Sequence, residues 1–236
     1  MLLPPFAKLP CVMQNEQVLP FYQALRQKQG QLAIKRIMDI ILALLLLLLL
    51  AAPMAIISVM IFSEGNGGVL FRQQRITQYL NTFTIYKFRT MAPQKKPQVR
   101  ITVHNDNRIT ALGKFLRRYR LDELPQLFNI LKGDMSFVGP RPELDCFVAC
   151  YDDTMLSTLL MPAGLTSQAS LQFCDETKYL DADDSERVYK DLLLPRKMAL
   201  NVSYIAQFSL GADIAVLFAT FRHFLNAQVD EFNNNE

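Results

Sequence analysis

Thiol and imidazole chemistry have little to work with in this chain. Its 236 residues include four cysteines and two histidines. Cys11, Cys146, Cys150 and Cys174 form no C-x-x-C pair, so neither a structural zinc site nor a disulfide framework is expected, and reduced thiols are the ordinary reading. Charge of one sign is barely in excess: 25 basic against 22 acidic residues leave a net +3, which does not mark a nucleic-acid binder. No internal repeat is visible. A cleavable signal peptide does not fit either, because its apolar region would be shorter and nearer the N-terminus, whereas 34 residues come first here.

What the chain does have is one long greasy segment. Between Ile40 and Phe62 the only polar side chain is Ser58, and Leu44 to Leu50 is an unbroken leucine run. Twenty-three helical residues reach roughly 35 Å, enough for a hydrocarbon core of about 30 Å. Two features favour re-entry through one leaflet over a crossing. Pro53 removes a backbone hydrogen bond and bends a helix. Basic residues flank both sides, Lys8, Arg26, Lys28, Lys35 and Arg36 before the segment and Arg72, Arg75, Lys87 and Arg89 after it, and both flanks read as cytoplasmic by the positive-inside rule. Lys35 and Asp39 stand i, i+4, so the spacing predicts an anchoring ion pair at the membrane boundary.

The remaining length leaves room for one small domain. Residues 1–34, with Pro4, Pro5, Pro10 and Pro20 and no sustained period, read as a tail with a short amphipathic lead-in. Ser63 to Gly68 is a turn cluster. Val69–Arg72 and Thr82–Thr90 look like strands; in the second, Phe83, Ile85, Lys87 and Arg89 alternate to one side, so the two cations would leave the strand end together. Residues 92–108 read as a loop. Leu112, Phe115, Leu116 and Tyr119 follow a helical period, and Gln126 to Lys132 forms a short helix capped by Gly133. Residues 143–161 look helical, 162–166 a turn, and 175–186 an acidic, solvated, mobile face. Final helices are expected near 185–200 and 210–225. Asp213 argues against a second membrane crossing and leaves the last one as an interfacial or core helix.

The chemistry concentrates at Leu121-Asp122-Glu123-Leu124-Pro125-Gln126-Leu127. Two adjacent carboxylates precede a proline suited to a first helical turn, where free N–H groups and the helix dipole favour anions, with Arg117, Arg118 and Arg120 just upstream. An adjacent acid pair is more often a capping or solvation feature. With these arginines it can share a cationic site with phosphate, often through a divalent metal. On that basis Asp122 is a metal ligand or a nucleophile and Glu123 its helper, and the motif alone does not separate the roles. Arg141, between Pro140 and Pro142, is held on a stiff backbone as a preorganised fork; its alternative is an ion pair with Glu143 or Asp145. Lys87 and Arg89 are otherwise a solvated strand end.

Six motifs in order then carry a resemblance: Lys35-Arg36-x-x-Asp39, Phe71-Arg72-Gln73-x-Arg75, Lys87-Phe88-Arg89-Thr90-Met91, Leu121 to Leu127, Lys132-Gly133-Asp134-Met135-Ser136, and Val138-Gly139-Pro140-Arg141-Pro142. Over about residues 34 to 226 the chain resembles the bacterial sugar transferase family, the monotopic phosphoglycosyl transferases that begin surface polysaccharide and glycoconjugate assembly. The resemblance implies transfer of a sugar-1-phosphate from a UDP-sugar to a polyprenyl phosphate with release of UMP. It also implies Asp122 as nucleophile in a covalent phosphosugar-enzyme, Glu123 as its partner, and Mg²⁺, with Asp122 as a ligand, countering the diphosphate. Arg141, Lys87, Arg89 and Arg120 become phosphate-binding candidates, and Pro53 the break of the membrane helix. With few residues ahead of that helix, the chain is similar to the family's small members. Ala52 stands where the family often has serine, Thr77 where glycine is common, and Ser167-Gln168-Ala169-Ser170 where Gly-x-Ala-Gln is usual.

The expected fold is α/β and mostly helical. It would comprise a tail (1–34), a single re-entrant membrane helix broken near Pro53 (35–63), a cytoplasmic catalytic domain with a short strand element and amphipathic interfacial helices (64–226), and a C-terminal tail (227–236). The expected location is the bacterial inner membrane, with the domain facing the cytoplasm, membrane lipid as a partner and no nucleic acid. A catalytically silent scaffold of the same fold, and a single-pass protein with a cytoplasmic binding domain, are the competing readings.

Overall fold

Leucine and alanine lose little rotamer freedom in a helix, and the greasy segment lies within one long helix in the computed structural model, which describes residues 3–65, 67–92, 106, 108–174 and 184–234. A short helix, α1 (Leu19–Gln27), precedes the long one, α2 (Gln29–Ser63). The helix runs through Pro53 as one element, so the proline acts within a single helix, where it removes one backbone hydrogen bond. Gly65, at φ 103°, provides the left-handed stop.

Strands β1 (Leu70–Ile76) and β2 (Thr82–Phe88) pair antiparallel, in register from Leu70 opposite Phe88 to Ile76 opposite Thr82. The first is longer than the sequence predicts. Helix α3 (Ala111–Arg118) follows, its N-terminus capped by Thr110 Oγ1, which accepts from Gly113 N at 2.9 Å. Gly113 presses on β2's extension: a Cβ there would lie 2.1 Å from the Thr90 carbonyl oxygen. A 3₁₀ turn (Leu121–Glu123) leads into α4 (Gln126–Lys132), which Gly133 ends at φ 95°, as the sequence predicts.

The segments beyond α4 depart from expectation. A second, parallel sheet joins β3 (Met135–Val138) to β4 (Ala163–Thr166), where a turn was expected at 162–166. Between them, 143–161 contains only the short α5 (Asp145–Val148) and a 3₁₀ stretch (Met155–Leu160). Four-residue strands buried on both faces show no period, so they leave no pattern to read. Gly139 and Gly164 let the ends of this sheet meet: a Cβ on Gly164 would fall 2.2 Å from Gly139 N. The chain closes with α6 (Gln168–Gln172), α7 (Ser185–Val188), one π turn (Tyr189–Leu193), α8 (Leu194–Gln207) and α9 (Leu210–Asn234). The described residues are mostly helical with two small sheets. Most of the expected loop at 92–108 and acidic face at 175–186 lies outside the described residues.

Residues read as an N-terminal tail belong to the core. Leu3, Leu9, Met13, Val18, Tyr22 and Leu25 are buried with Leu32, Ile130, Met135, Leu160, Ile205 and Phe208 in the main cluster. A smaller cluster, Ile57, Ile61, Phe88 and Leu116, fastens the far end of α2; fully burying such side chains contributes about 1.5–3 kcal/mol each. The near end is fastened by Arg36, which donates to the Ile130 and Leu131 carbonyls at 2.5 and 2.8 Å. One small domain therefore holds both ends of the apolar helix. Between them Ile41, Leu44, Leu45, Leu48, Leu49, Ile56 and Val59 are exposed, and this is the one helix among the described residues long and apolar enough to cross a membrane. On α9, Ile214, Phe218 and Phe221 are likewise exposed.

The expected Lys35–Asp39 pair is not made. Lys35 Nζ instead bonds Asp213 Oδ2 at 2.6 Å, while Asp39 Oδ1 accepts from Phe137 N at 3.1 Å. Tyr204 donates to the other Asp213 oxygen at 2.7 Å. Helix α9 thus supplies the counter-ion that α2 was expected to find within itself.

Candidate functional site

The acid pair sits on a turn that the chain enters under strain. Arg120 is at φ 53°, a left-handed conformation uncommon outside glycine. It turns the end of α3 into the 3₁₀ turn, whose Asp122 and Glu123 are both 7% exposed. The pair precedes Pro125 and α4, as the sequence predicts, and does so on a 3₁₀ turn of its own. Asn129, fully buried, fixes α4 across β2: its Nδ2 donates to Thr84 O at 2.8 Å and its Oδ1 accepts from Tyr86 N at 3.1 Å. That crossing brings Lys87 to the acids.

Glu123 Oε1 is the focus of the cations. Lys87 Nζ lies 2.7 Å from it, Arg141 Nη2 3.4 Å and Arg120 Nη1 3.8 Å. Burial alone would raise the Glu123 pKa, yet Lys87, Arg141 and Arg120 together hold it far below the usual carboxylate range. Asp122 behaves oppositely. Burial pushes its pKa up, Lys87 opposes, and the Glu123 charge adds to the rise. Its Oδ1 is buried with no hydrogen-bond partner among the described residues. The two acids thus divide: Glu123 is a fixed anion absorbed by cations, and Asp122 offers an unspent oxygen.

Arg141 lies on a loop fastened by its neighbours' carbonyls. Its loop is tied to β4 through Gly164 N to Pro140 O at 2.8 Å, and to β1 through Ile76 N to Glu143 O at 3.0 Å and Arg75 Nη1 to Pro142 O at 3.3 Å. Glu143, proposed as its alternative partner, lies in a buried network with Tyr189 OH at 2.6 Å and Lys197 Nζ at 3.3 Å. Arg117, close enough to Asp122 to oppose its protonation, is steered by a 2.8 Å bond from its Nε to Thr90 Oγ1.

Lys87, Arg120, Arg141, Asp122 and Glu123 are brought together, whereas Arg89 and Pro53 are not among them. Arg89 donates to the carbonyls of Ile61 at 2.9 Å and Gly65 at 3.0 Å, so it caps the end of α2. The two cations expected to leave β2 together diverge because the strand ends at Phe88, which is itself buried against Ile61 and Leu116. Sequence reasoning gave no role to Asn129 or Thr90. Their signal, a polar side chain inside a motif, is legible only once the partner carbonyl or guanidinium is known.

A divalent cation would find no ready cage, since the described residues hold no group of three or more His, Cys, Asp or Glu side chains placed for one. The unspent Asp122 oxygen nevertheless fits Mg²⁺, which commonly takes one or two carboxylates and completes its shell with substrate phosphates and water.

Fold and site together define a class: a protein with one lipid-length helix, pinned at both ends by a small domain whose acid pair faces clustered cations. The chain belongs to the bacterial sugar transferase family, whose model matches residues 30–227. It is 36% identical over 197 residues to a UDP-N-acetylgalactosamine-undecaprenyl-phosphate N-acetylgalactosaminephosphotransferase of Aeromonas hydrophila, covering 81% of this chain and 44% of that protein. It is 45% identical over 118 residues to a putative undecaprenyl-phosphate N-acetylgalactosaminyl 1-phosphate transferase of Bacillus subtilis (49% and 65% covered). It is also 32% identical over 221 residues to a UDP-glucose:undecaprenyl-phosphate glucose-1-phosphate transferase of Escherichia coli K12 (91% and 45% covered). The chain spans less than half the length of the Aeromonas and Escherichia relatives and about two thirds of the Bacillus one.

Proposed function

We propose that this protein moves a sugar-1-phosphate from a UDP-sugar to a polyprenyl phosphate, initiating a bacterial surface polysaccharide or glycoconjugate, through a covalent intermediate on Asp122. The observation that carries this reading is the division of the acid pair. A carboxylate whose oxygen is buried and unpartnered is a nucleophile in waiting, and a neighbour neutralised by three cations keeps those cations in place for a diphosphate. In the first step an Asp122 oxygen bonds the β-phosphorus as the bond to the bridging oxygen breaks, and UMP leaves with the electron pair. In the second, an oxygen of the polyprenyl phosphate bonds the same phosphorus and the Asp122 carboxylate is released. Lys87, Arg120 and Arg141 orient the diphosphate and stabilise charge as it shifts between oxygens. Mg²⁺, held by Asp122 and the substrate's own phosphates, would neutralise diphosphate charge.

Re-entry of α2 from the cytoplasmic side suits this chemistry, because it keeps the site at the headgroup level where the acceptor phosphate lies. Arg36 and Ile61 would stand about 37 Å apart on a straight helix, so a crossing would put one of them beyond a hydrocarbon core of about 30 Å. That both are fastened to one domain supports entry and exit by the same face. The exposed Ile214, Phe218 and Phe221 of α9 suit an interfacial helix.

The decisive experiment incubates purified protein with Mg²⁺ and a panel of UDP-sugars, with and without polyprenyl phosphate. UMP release and peptide mass mapping provide the readout. A phosphosugar adduct on Asp122 that disappears when acceptor is added is expected. An adduct on another residue, or product without any adduct, overturns the mechanism; no UMP from any donor supports the silent scaffold. Periplasmic labelling of cysteines placed within residues 1–34 would establish a crossing and remove re-entry.

A further inference from the structure

Gln126 opens α4 but makes none of the contacts that assemble the acid pair. Its residue is 2% exposed, and its Nε2 has no hydrogen-bond partner among the described residues. Leaving a buried amide donor unpaired is costly, so native proteins rarely do so without a reason. The backbone between Asp122 and Gln126 stays right-handed, with Leu124 at φ −53°, ψ −38° and Pro125 at φ −62°, ψ −15°. Gln126 thus follows Asp122 by little more than one turn of the ribbon that carries both. Two buried polar atoms of opposite kind, the acceptor Asp122 Oδ1 and the donor Gln126 Nε2, are therefore neighbours along the chain, and both are unspent. A phosphoryl group satisfies both at once, offering phosphorus to the carboxylate and an oxygen to the amide. The three cations gather on the Glu123 side, and the amide is the neutral donor on the nucleophile's own ribbon.

We propose that Gln126 is a substrate-binding residue of the transfer, its Nε2 donating to a non-bridging phosphoryl oxygen while that phosphorus is bonded to Asp122. This rests on the reading under Proposed function. The bond forms as phosphorus closes on the Asp122 oxygen and persists in the adduct, so its loss slows the displacements and spares initial capture, which the cations carry. Loss of one such hydrogen bond corresponds to about a tenfold change in rate.

The test is rapid-quench kinetics of adduct formation in the full chain, with Mg²⁺ and whichever UDP-sugar the wild type accepts. Burst amplitude counts folded enzyme, and the rate constant reports the chemistry. For Gln126→Met the rate constant at saturating donor should fall about tenfold, with KM little changed and Tm unchanged or raised because an unpaired donor has gone. Gln126→Glu, which brings a like charge towards Asp122, should be slower still. A Gln126→Met variant with the wild-type rate constant overturns the inference, whether or not its amplitude drops. Wild-type protein that forms no adduct on Asp122 would instead remove the underlying reading, so the two failures are told apart.

Discussion

Asp122→Asn and Glu123→Gln, adjacent and nearly isosteric, should move thermal stability in opposite directions. Glu123 is paired at 2.7 Å with Lys87, the two side chains being 9% and 20% exposed. Removing its charge strands Lys87 beside Arg141 and Arg120. Breaking a buried pair from one side costs about 3–5 kcal/mol, and the partial exposure of Lys87 puts this case at about 3 kcal/mol. For a chain of this size each kcal/mol shifts Tm by about 2–4 °C, so Glu123→Gln should lower Tm by about 6–12 °C. At Asp122 the balance reverses, because a buried charged oxygen without a partner is removed and the repulsion from Glu123 goes with it; a gain of about 1 kcal/mol is expected, or about 2–4 °C. The sequence has no tryptophan, so circular dichroism of the protein in detergent is the suitable assay. The signs also separate with pH. Glu123, with its pKa depressed, contributes stability that is full above the ordinary carboxylate range and is lost as pH falls towards its folded value. Asp122, with its pKa raised, is penalised only as pH rises from its unfolded value through its folded one. The gain from Asp122→Asn should therefore be present at pH 7 and shrink towards pH 4. Equal destabilisation by the two substitutions, or a gain that grows on acidification, would refute the division of labour between them.

Adduct formation needs ionised Asp122, so its rate should fall with decreasing pH around a midpoint above the ordinary aspartate value of about 3.9; quench kinetics across pH would expose a midpoint at or below that value, which would contradict the site. Arg141→Ala should lower turnover about 10- to 150-fold, the range for losing a charge-assisted hydrogen bond, with Arg141→Lys restoring part of it; unchanged kinetics would assign Arg141 to the fold alone. Lys35→Met leaves Asp213 buried without its cation and should cost about 3–5 kcal/mol. Adding Asp213→Asn should recover part of the loss in the same melting assay, and a double variant as unstable as the single one would show that the pair is not coupled.

Some of this protein was legible because it depends only on neighbours along the chain. The leucine run, the glycine that stops α4, the two strand runs before α3 and the acid pair with its proline each follow from local propensity or spacing. The arginine of Pro140-Arg141-Pro142 could be singled out because proline stiffens its neighbours wherever it stands. Other features were hidden because their partners are remote. Thr77 stood out only as a departure from a common glycine, yet its hydroxyl donates to Asp134 O at 2.6 Å and accepts from Ala163 N at 3.1 Å, joining the hairpin to the second sheet.

The order of side chains therefore determined which groups are available: a lipid-length apolar helix, two adjacent carboxylates and a scatter of cations. Only the tertiary structure decided their assignments. Lys87 reaches Glu123 while Arg89 caps the end of α2, Lys35 finds Asp213 instead of Asp39, and Asp122 is the acid left with an unpartnered oxygen among the described residues. The reason is physical. Propensity and periodicity act over a few residues, whereas a charge buried on folding must take whatever counter-ion the packed chain brings within reach, from any distance in sequence.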